Sequence, residues 1–309
     1  LADGHRTNRM GLEVLGRIGR RSLSEGVRAD AGYEVFEPAA APVTTRARAK
    51  PEQAIFEDAS DCIGHRHVEI PFDDFARQHL LPNRLSQLGP GVAWHDLDGD
   101  GWEDLIVGGG RGGKLAIFHN NGQGGFNRQE APPGVQAVPR DQTGVVGWRT
   151  GSSASRLLVG HAHYEDSVPG GSAVTVLDMA GLNPEEGIPV DASSVGPLAL
   201  ADYDGDGELD LFVGGRVIPG RYPVAASSRL YRGGGGRVAL DGAQSAVLDQ
   251  VGLVSGAVWT DLNGDGWPDL ALACEWGPVR VFLNDRGRLR AWNVAVNIQR
   301  STHDVQRSS

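Results

Sequence analysis

Three short strings hold the residues best placed for chemistry: DLDGDGWED at 96–104, DYDGDGELD at 202–210 and DLNGDGWPD at 261–269. They align as D-x-[DN]-G-D-G-x-x-D. Oxygen-bearing side chains fall at loop positions 1, 3, 5 and 9. These are Asp96, Asp98, Asp100 and Asp104; Asp202, Asp204, Asp206 and Asp210; Asp261, Asn263, Asp265 and Asp269. Position 7, occupied by Trp102, Glu208 and Trp267, can add a backbone carbonyl. Alternating donors on a tightly curled loop converge on one point, and glycines at positions 4 and 6 permit the left-handed turns this curl needs. A hard cation with about six to eight oxygen ligands suits such a loop, and Ca²⁺ matches best; Mg²⁺ keeps more of its water. One such string reads equally well as a polar turn. Three with the same donor spacing predict three calcium sites. Three bound Ca²⁺ would bring the formal net charge from −10 to −4. Without metal the carboxylates repel, so binding should couple to folding.

An EF-hand ends its loop with a bidentate Glu at position 12 and continues into a helix. Here position 12 is Val107, Val213 and Leu272, inside the apolar runs DLIVGGG, DLFVGG and DLALAC. Short, partly β-branched runs bounded by glycine read as buried strands. The loops are therefore expected between strands.

The elements that position them recur. GVAWHD, PLALAD and GAVWTD lead into the first aspartate of each string. KLAIFHNNGQGGF, SRLYRGGGGRV and VRVFLNDRGRL follow, each a strand, a turn and a strand start. Trp94, Leu200 and Trp259 share the slot two residues before the first aspartate. The wide gap between the first two hides a fourth copy, GVVGWRTGSSASRLLVGHA, in which Trp148 takes the Trp94 slot; the spacings become 54, 52 and 59 residues. That copy has TGSSAS where the others carry carboxylates, and is expected to bind no calcium. Repeats of about 50–60 residues with about four strands each indicate β-propeller blades, which must stack because one blade cannot bury both faces. The fold class expected is all-β, a β-propeller, complete or incomplete.

Over roughly residues 55–293 these loops and strands resemble the FG-GAP/VCBS repeats of integrin-α-like propellers. The resemblance is specific in LSQLGPGVAWHDLDGDGWEDLIVGGGRGGKLAIFHNNGQGGF, GPLALADYDGDGELDLFVGGRVIPGRYPVAASSRLYR and LVSGAVWTDLNGDGWPDLALACEWGPVRVFLND. They are similar to bacterial VCBS-repeat proteins that often carry an ASPIC/UnbV domain, relatives of cartilage acidic protein. The resemblance implies a propeller, Ca²⁺ in the inter-strand loops and an extracytoplasmic location, and it implies no reaction. Seven blades, common in that family, need about 400 residues at this period. With four visible copies in 309 residues, either the chain is a fragment, the first expectation, or residues 1–55 contribute something the repeat pattern does not show. The expected organisation is an N-terminal segment and linker at 1–54, blades at about 88–140, 141–195, 196–252 and 253–293, and a polar tail at 294–309.

An acidic chain, pI about 5.4, repels phosphate backbones, which argues against nucleic-acid binding. No apolar run approaches the ~20 residues of a membrane-spanning helix. The chain begins at Leu1 and shows no signal peptide. Cys62 and Cys274 read as two free thiols ahead of one disulfide, since a disulfide scaffold normally has more cysteines. GLEVLGRIGRRSLSEGVR near the N-terminus fits a short basic helix or a frayed strand, and PAAAPVTTRARAKPE is a linker by composition. His65 and His67 with Glu69 and Asp73, and His161 with His163, are H-x-H pairs without a third ligand placed by spacing. GGGRGG at 108–113 precedes a strand and reads as a turn, not a dinucleotide site; GGGG at 233–236 reads as a hairpin. The expected function is non-catalytic: a calcium-stabilised interaction or adhesion module for a protein or glycan ligand. The alternative is a propeller enzyme acting on polysaccharide as a lyase or hydrolase.

Overall fold

The computed structural model describes residues 58–292 apart from 59, 130–136, 151–153, 167–170, 180–182, 185–186 and 190, together with strands at 10–15 and 21–27. The chain divides into two units, Leu1–Glu57 and Asp58–Ser309. In the first, β1 (Met10–Leu15) pairs antiparallel with β2 (Arg21–Val27), so these two segments are strand and not helix. The linker at 38–52 and the tail at 294–309 lie outside the described residues.

Four antiparallel sheets build the second unit. Sheet one orders β3 (Val92–His95), β4 (Asp104–Val107), β5 (Ala116–Asn120) and β6 (Phe126–Arg128). Sheet two orders β7 (Asp141–Thr150), β8 (Ala154–Ala162) and β9 (Ser172–Asp178), with the short β10 (Asn183–Pro184) and β11 (Ile188–Pro189) both on β9. Sheet three orders β12 (Ser194–Ala201), β13 (Asp210–Val217), β14 (Arg229–Gly234) and β15 (Arg237–Leu240). Sheet four orders β16 (Leu253–Thr260), β17 (Asp269–Glu275), β18 (Arg280–Asn284) and β19 (Leu289–Ala291). Two short helices, α1 (Asp74–Arg77) and α2 (Gly242–Val247), are the only α-helices among the described residues. The unit is nearly all β, in meandering sheets of the propeller-blade type, as the repeat predicts.

The first strands of the sheets pack in sequence, β3 on β7, β7 on β12 and β12 on β16. The middles of the second strands are apolar on both faces because successive side chains enter different cores. Leu211 and Val213 of β13 join Trp148, Leu158, Val174 and Leu198 between sheets two and three. Phe212 turns the other way, to Leu230, Val254, Leu270, Leu272 and Phe282 between sheets three and four. In β8, Leu157 and Val159 pack with Ile106, Ile117 and Val145 of sheets one and two, while Leu158 faces sheet three. Each such buried side chain contributes about 1.5–3 kcal/mol. The two end sheets are less covered: Val92 and Trp94 on β3 and Val258 on β16 are each more than half exposed.

The fourth repeat copy is present as sheet two, with a correction to its alignment. Trp94 pairs with Leu105, Leu200 with Leu211 and Trp259 with Leu270, but it is Gly147 that pairs with Leu157, while Trp148 pairs with Arg156. Trp148 thus occupies the slot of His95, and Arg149 that of Asp96. One residue of offset moves a side chain to the opposite face of a sheet. Trp148 is accordingly buried between sheets two and three, whereas Trp94 is exposed. Gly147 keeps the other face clear: a Cβ there would lie 2.0 Å from His95 Cγ of sheet one.

Residues 60–90 run along the ends of the sheets where the first strands begin. Ile70 N–H donates to Arg111 O (2.8 Å), Arg77 reaches the carbonyls of Tyr164 and Asp166, and the Gln78 side chain pairs with the backbone of Tyr222. Leu81 and Leu85 pack with Tyr164, Val217, Tyr222 and Leu253. Asp74, 1% exposed, holds this segment's turn by accepting from Leu85 N–H, Ser86 N–H and Ser86 Oγ–H. The segment therefore ties sheets one, two and three together. Cys62 and Cys274 are free thiols.

Candidate metal centres

Each Asp/Gly string connects the first strand of its sheet to the second, and the three loops repeat one hydrogen-bond pattern. The position 1 carboxylate bridges the curl. Asp96 accepts from Gly99 N–H (2.7 Å) and Gly101 N–H (3.2 Å), Asp202 from Gly205 and Gly207 (2.7 and 3.0 Å), and Asp261 from Gly264 and Gly266 (2.7 and 2.9 Å). Position 3 accepts from the position 5 N–H, and position 5 from the N–H of Trp102, Glu208 or Trp267 (2.8, 2.9 and 2.9 Å). The curl depends on the two glycines: Gly99 and Gly101 have φ of +81° and +92°, and the equivalents in the other loops are all near +80° to +90°, a region costly for residues with a Cβ.

These turns leave the remaining carboxylate lone pairs converging. One oxygen from each of Asp96, Asp98 and Asp100 lies within 4.8 Å of the others, and the same holds for Asp202, Asp204 and Asp206. These side chains are exposed or half-buried, open to an ion from solvent. In the third loop Asn263 Nδ2 donates to Asp265 Oδ2 (2.9 Å), and Asp261 keeps its bridging role. Hydrogen bonds led by that from Gly266 hold the Asp261 carboxyl below the usual carboxylate range.

Position 9 has a different setting. Asp104, Asp210 and Asp269 are 1%, 0% and 0% exposed. Each begins a second strand and uses both oxygens on backbone N–H groups. Asp104 takes those of Leu97 and Asn120, Asp210 those of Tyr203 and Gly233, and Asp269 those of Leu262 and Asn284, at 2.7–3.1 Å. Position 9 thus fastens the loop to the end of the third strand. Burial pushes the Asp210 carboxyl up to about 6; the bonds from Gly233 and Tyr203 oppose this, and the charges of Asp204 and Asp206 add to it. No helix leaves any loop; Val107, Val213 and Leu272 sit buried in β4, β13 and β17. The residues present fit a hard divalent cation held by oxygens.

Neighbouring elements add groups that spacing does not show. His119 on β5 places Nδ1 3.1 Å from Asp104 Oδ2 and 3.6 Å from Asp98 Oδ2. Arg149 of sheet two donates to Asp96 O (2.9 Å) and reaches Asp96 Oδ2 (3.2 Å). In the second loop Arg232 binds Asp204 and Asp241 (both 2.8 Å), and Tyr203 O–H donates to Asp241 (2.6 Å). Sheet four closes over that loop: Trp267 covers Gly205, Gly287 abuts Asp204, and Asn284 Nδ2 donates to Tyr203 O (2.8 Å). The turn of sheet two that replaces the acidic string falls at 151–153, outside the described residues.

The H-x-H pairs do not act as pairs. His67 Nε2 lies 3.4 Å from Glu69 Oε2, while His65 stacks edge-on against Phe118 and Asp73 caps α1 through Ala76 N–H. His161 Nε2 meets Thr175 Oγ1 at 2.8 Å; burial, aided by the Arg140 charge, pushes its pKa down to about 4. Gly108–Gly113 forms the turn between β4 and β5, and Gly235 and Gly236, both at positive φ, turn β14 into β15.

The sheets and their Asp/Gly loops define a protein built of propeller-type blades. A family model described as an FG-GAP-like repeat matches residues 96–147, which span the first loop and reach into β7. Comparison with curated proteins finds no match. Among solved structures, the chain is similar to one described as the crystal structure of BBS1N in complex with ARL6DN, soaked with lead. That likeness has 14% sequence identity and a TM-score of 0.28, over 66% of this chain and 81% of that one.

Proposed function

We propose that the three loops bind Ca²⁺ and that the ions pin a blade array used as an extracytoplasmic interaction or adhesion module, non-catalytic, for a protein or glycan ligand. The array's blades are proposed at about 88–140, 141–195, 196–252 and 253–293. The observation that carries the reading is the threefold recurrence of one curl, with its bridging first aspartate, paired positive-φ glycines and chained acceptor oxygens at positions 3 and 5. Asp96, Asp98 and Asp100, then Asp202, Asp204 and Asp206, then Asp261, Asn263 and Asp265 would supply side-chain oxygens. Trp102, Glu208 and Trp267 would add carbonyls, and Asp104, Asp210 and Asp269 would close each site from the sheet side. A bound ion supplies positive charge at each cluster. The chain's own residues set the loop shape and press it against the next sheet, as Trp267 and Gly287 do for the second loop. The FG-GAP-like match supports the reading, as does exposure of the loops at one end of the sheets. Calorimetric titration of the EDTA-stripped chain with CaCl₂, paired with melting in EDTA, tests it. Saturable binding at the three loops and a melting temperature several degrees lower in EDTA are expected; heats absent from the titration, or melting indifferent to EDTA, would refute it.

A further inference from the structure

At the opposite end of sheets one and two, away from the Asp/Gly loops, three carboxylates from separate parts of the chain meet. Glu69 comes from the tying segment, Asp141 is the first residue of β7, and Glu165 lies in the connection from β8 to β9. One oxygen of each lies within 4.8 Å of the others. The setting is dry: Asp141 is 6% exposed and the Glu165 side chain 5%. Arg111 is the nearby cation. Its backbone N–H donates to Asp141 Oδ1 (2.7 Å), and its guanidinium Nε lies 2.5 Å from Glu165 Oε2. His67 reaches Glu69 Oε2 at the rim.

This cluster is not a completed ion-pair network. Glu165 Oε1 is buried without a hydrogen-bond partner among the described residues, although it belongs to a carboxylate aimed into the cluster. Buried carboxylate oxygens are otherwise satisfied because stripping them of water is costly. Charge points the same way when all three are ionised: three carboxylates against the Arg111 guanidinium then leave two negative charges, which one divalent ion would balance. From this geometry we infer a further cation site, formed by Glu69, Asp141 and Glu165, that takes one divalent metal ion on carboxylate oxygens. The ion would join the tying segment to the first two sheets. The donors belong to no Asp/Gly string, so the inference stands apart from the loop sites.

The test counts bound metal by elemental analysis after dialysing the EDTA-stripped full chain against CaCl₂ and, separately, MnCl₂. A chain carrying Asp98→Ala, Asp204→Ala and Asp265→Ala, which blunts the loops, is expected to retain one ion with at least one of the two metals. Adding Glu165→Gln should remove that ion or weaken it at least tenfold. Glu69→Gln, at a partly exposed position, should do the same and serves if the buried substitution prevents folding. Should the loop-blunted chain not fold, wild type and Glu69→Gln are compared directly, with one fewer ion or a tenfold weaker site expected. Failure of the loop-blunted chain to retain either metal, or a count and affinity indifferent to both glutamate substitutions, overturns the inference. Neither result bears on the loops, whose own failure would leave this one ion in the count.

Discussion

Replacing Asp269 by alanine separates the two tasks carried by each acidic string. Asp269 is fully buried and its oxygens accept from Leu262 N–H (2.9 Å) and Asn284 N–H (2.7 Å). Truncation orphans both donors where water cannot replace the carboxylate without opening the loop. A buried donor left unpaired costs about 1–3 kcal/mol, so the pair amounts to about 2–6 kcal/mol. Asn284 also carries the bond to Tyr203 O in sheet three, so loss toward the upper half of that range, about 4 kcal/mol, is expected. Asp265 is exposed and accepts from Trp267 N–H at the surface; its truncation should cost no more than about 1 kcal/mol without metal. Urea unfolding followed by tryptophan fluorescence, in EDTA and again in CaCl₂, measures both. Asp269→Ala should be deeply destabilised in either buffer, while Asp265→Ala should lose chiefly the increment that calcium adds. An Asp269→Ala chain within about 1 kcal/mol of wild type in EDTA would show that position 9 acts only through an ion and would refute the fastening role.

Three further outcomes are expected. His161 is held neutral with a pKa near 4 against 6.5 unperturbed. Its folded value is depressed, so its contribution is full above about pH 6.5 and is lost as pH falls through 4, amounting to about 3 kcal/mol; in His161→Gln the stability difference between pH 7 and pH 4 should shrink by that amount, and an unchanged pH profile would contradict this. Gly147→Ala drives a Cβ into His95 and should cost about 1–3 kcal/mol by overpacking. His95→Ala should relieve most of that cost in a double-mutant cycle, whereas additive losses would mean the two do not meet. Arg149→Ala removes a positive charge from beside Asp96 and should tighten calcium at the first loop by roughly threefold, a partly screened single-charge effect; terbium luminescence sensitised by Trp102, measured in a Trp267→Phe background, reads that loop, and weaker binding would reverse the sign of the argument.

Local chemistry accounts for what was legible without coordinates. Left-handed turns at Gly99, Gly101 and their equivalents follow from the donor spacing, because alternating oxygens converge only on a curled backbone. The strand character of DLIV, DLFV and DLALAC follows from runs that are apolar on both faces. Sheet two shows the limit. In GVVGWRT, a large aromatic two residues before the gap looks like Trp94, yet pairing along β7 and β8 sets the register, and it puts Gly147 in that slot. Spacing also treats position 9 as one more ligand. Its burial and its bonds to the far strand depend on residues some 15–23 positions away. His119, Arg149, Glu165 and Arg111 were beyond reach for the same reason: each acquires its partner through the stacking or bending of distant segments, which no window along the chain contains.

With calcium in the loops as proposed, Arg149 would change what calcium depletion does to the array. Stacked repeats hold together through couplings between nearest neighbours. At the seam between sheets one and two, a permanently charged guanidinium reaches the carbonyl and the carboxylate of Asp96 without any metal. Between sheets three and four, the coupling runs through Trp267 on Gly205 and Gly287 on Asp204, contacts whose fit depends on the shape of the second loop. On the proposed calcium sites, scarce calcium would loosen one seam and spare the other, and a cooperative unit would split unevenly, with the third and fourth sheets parting first.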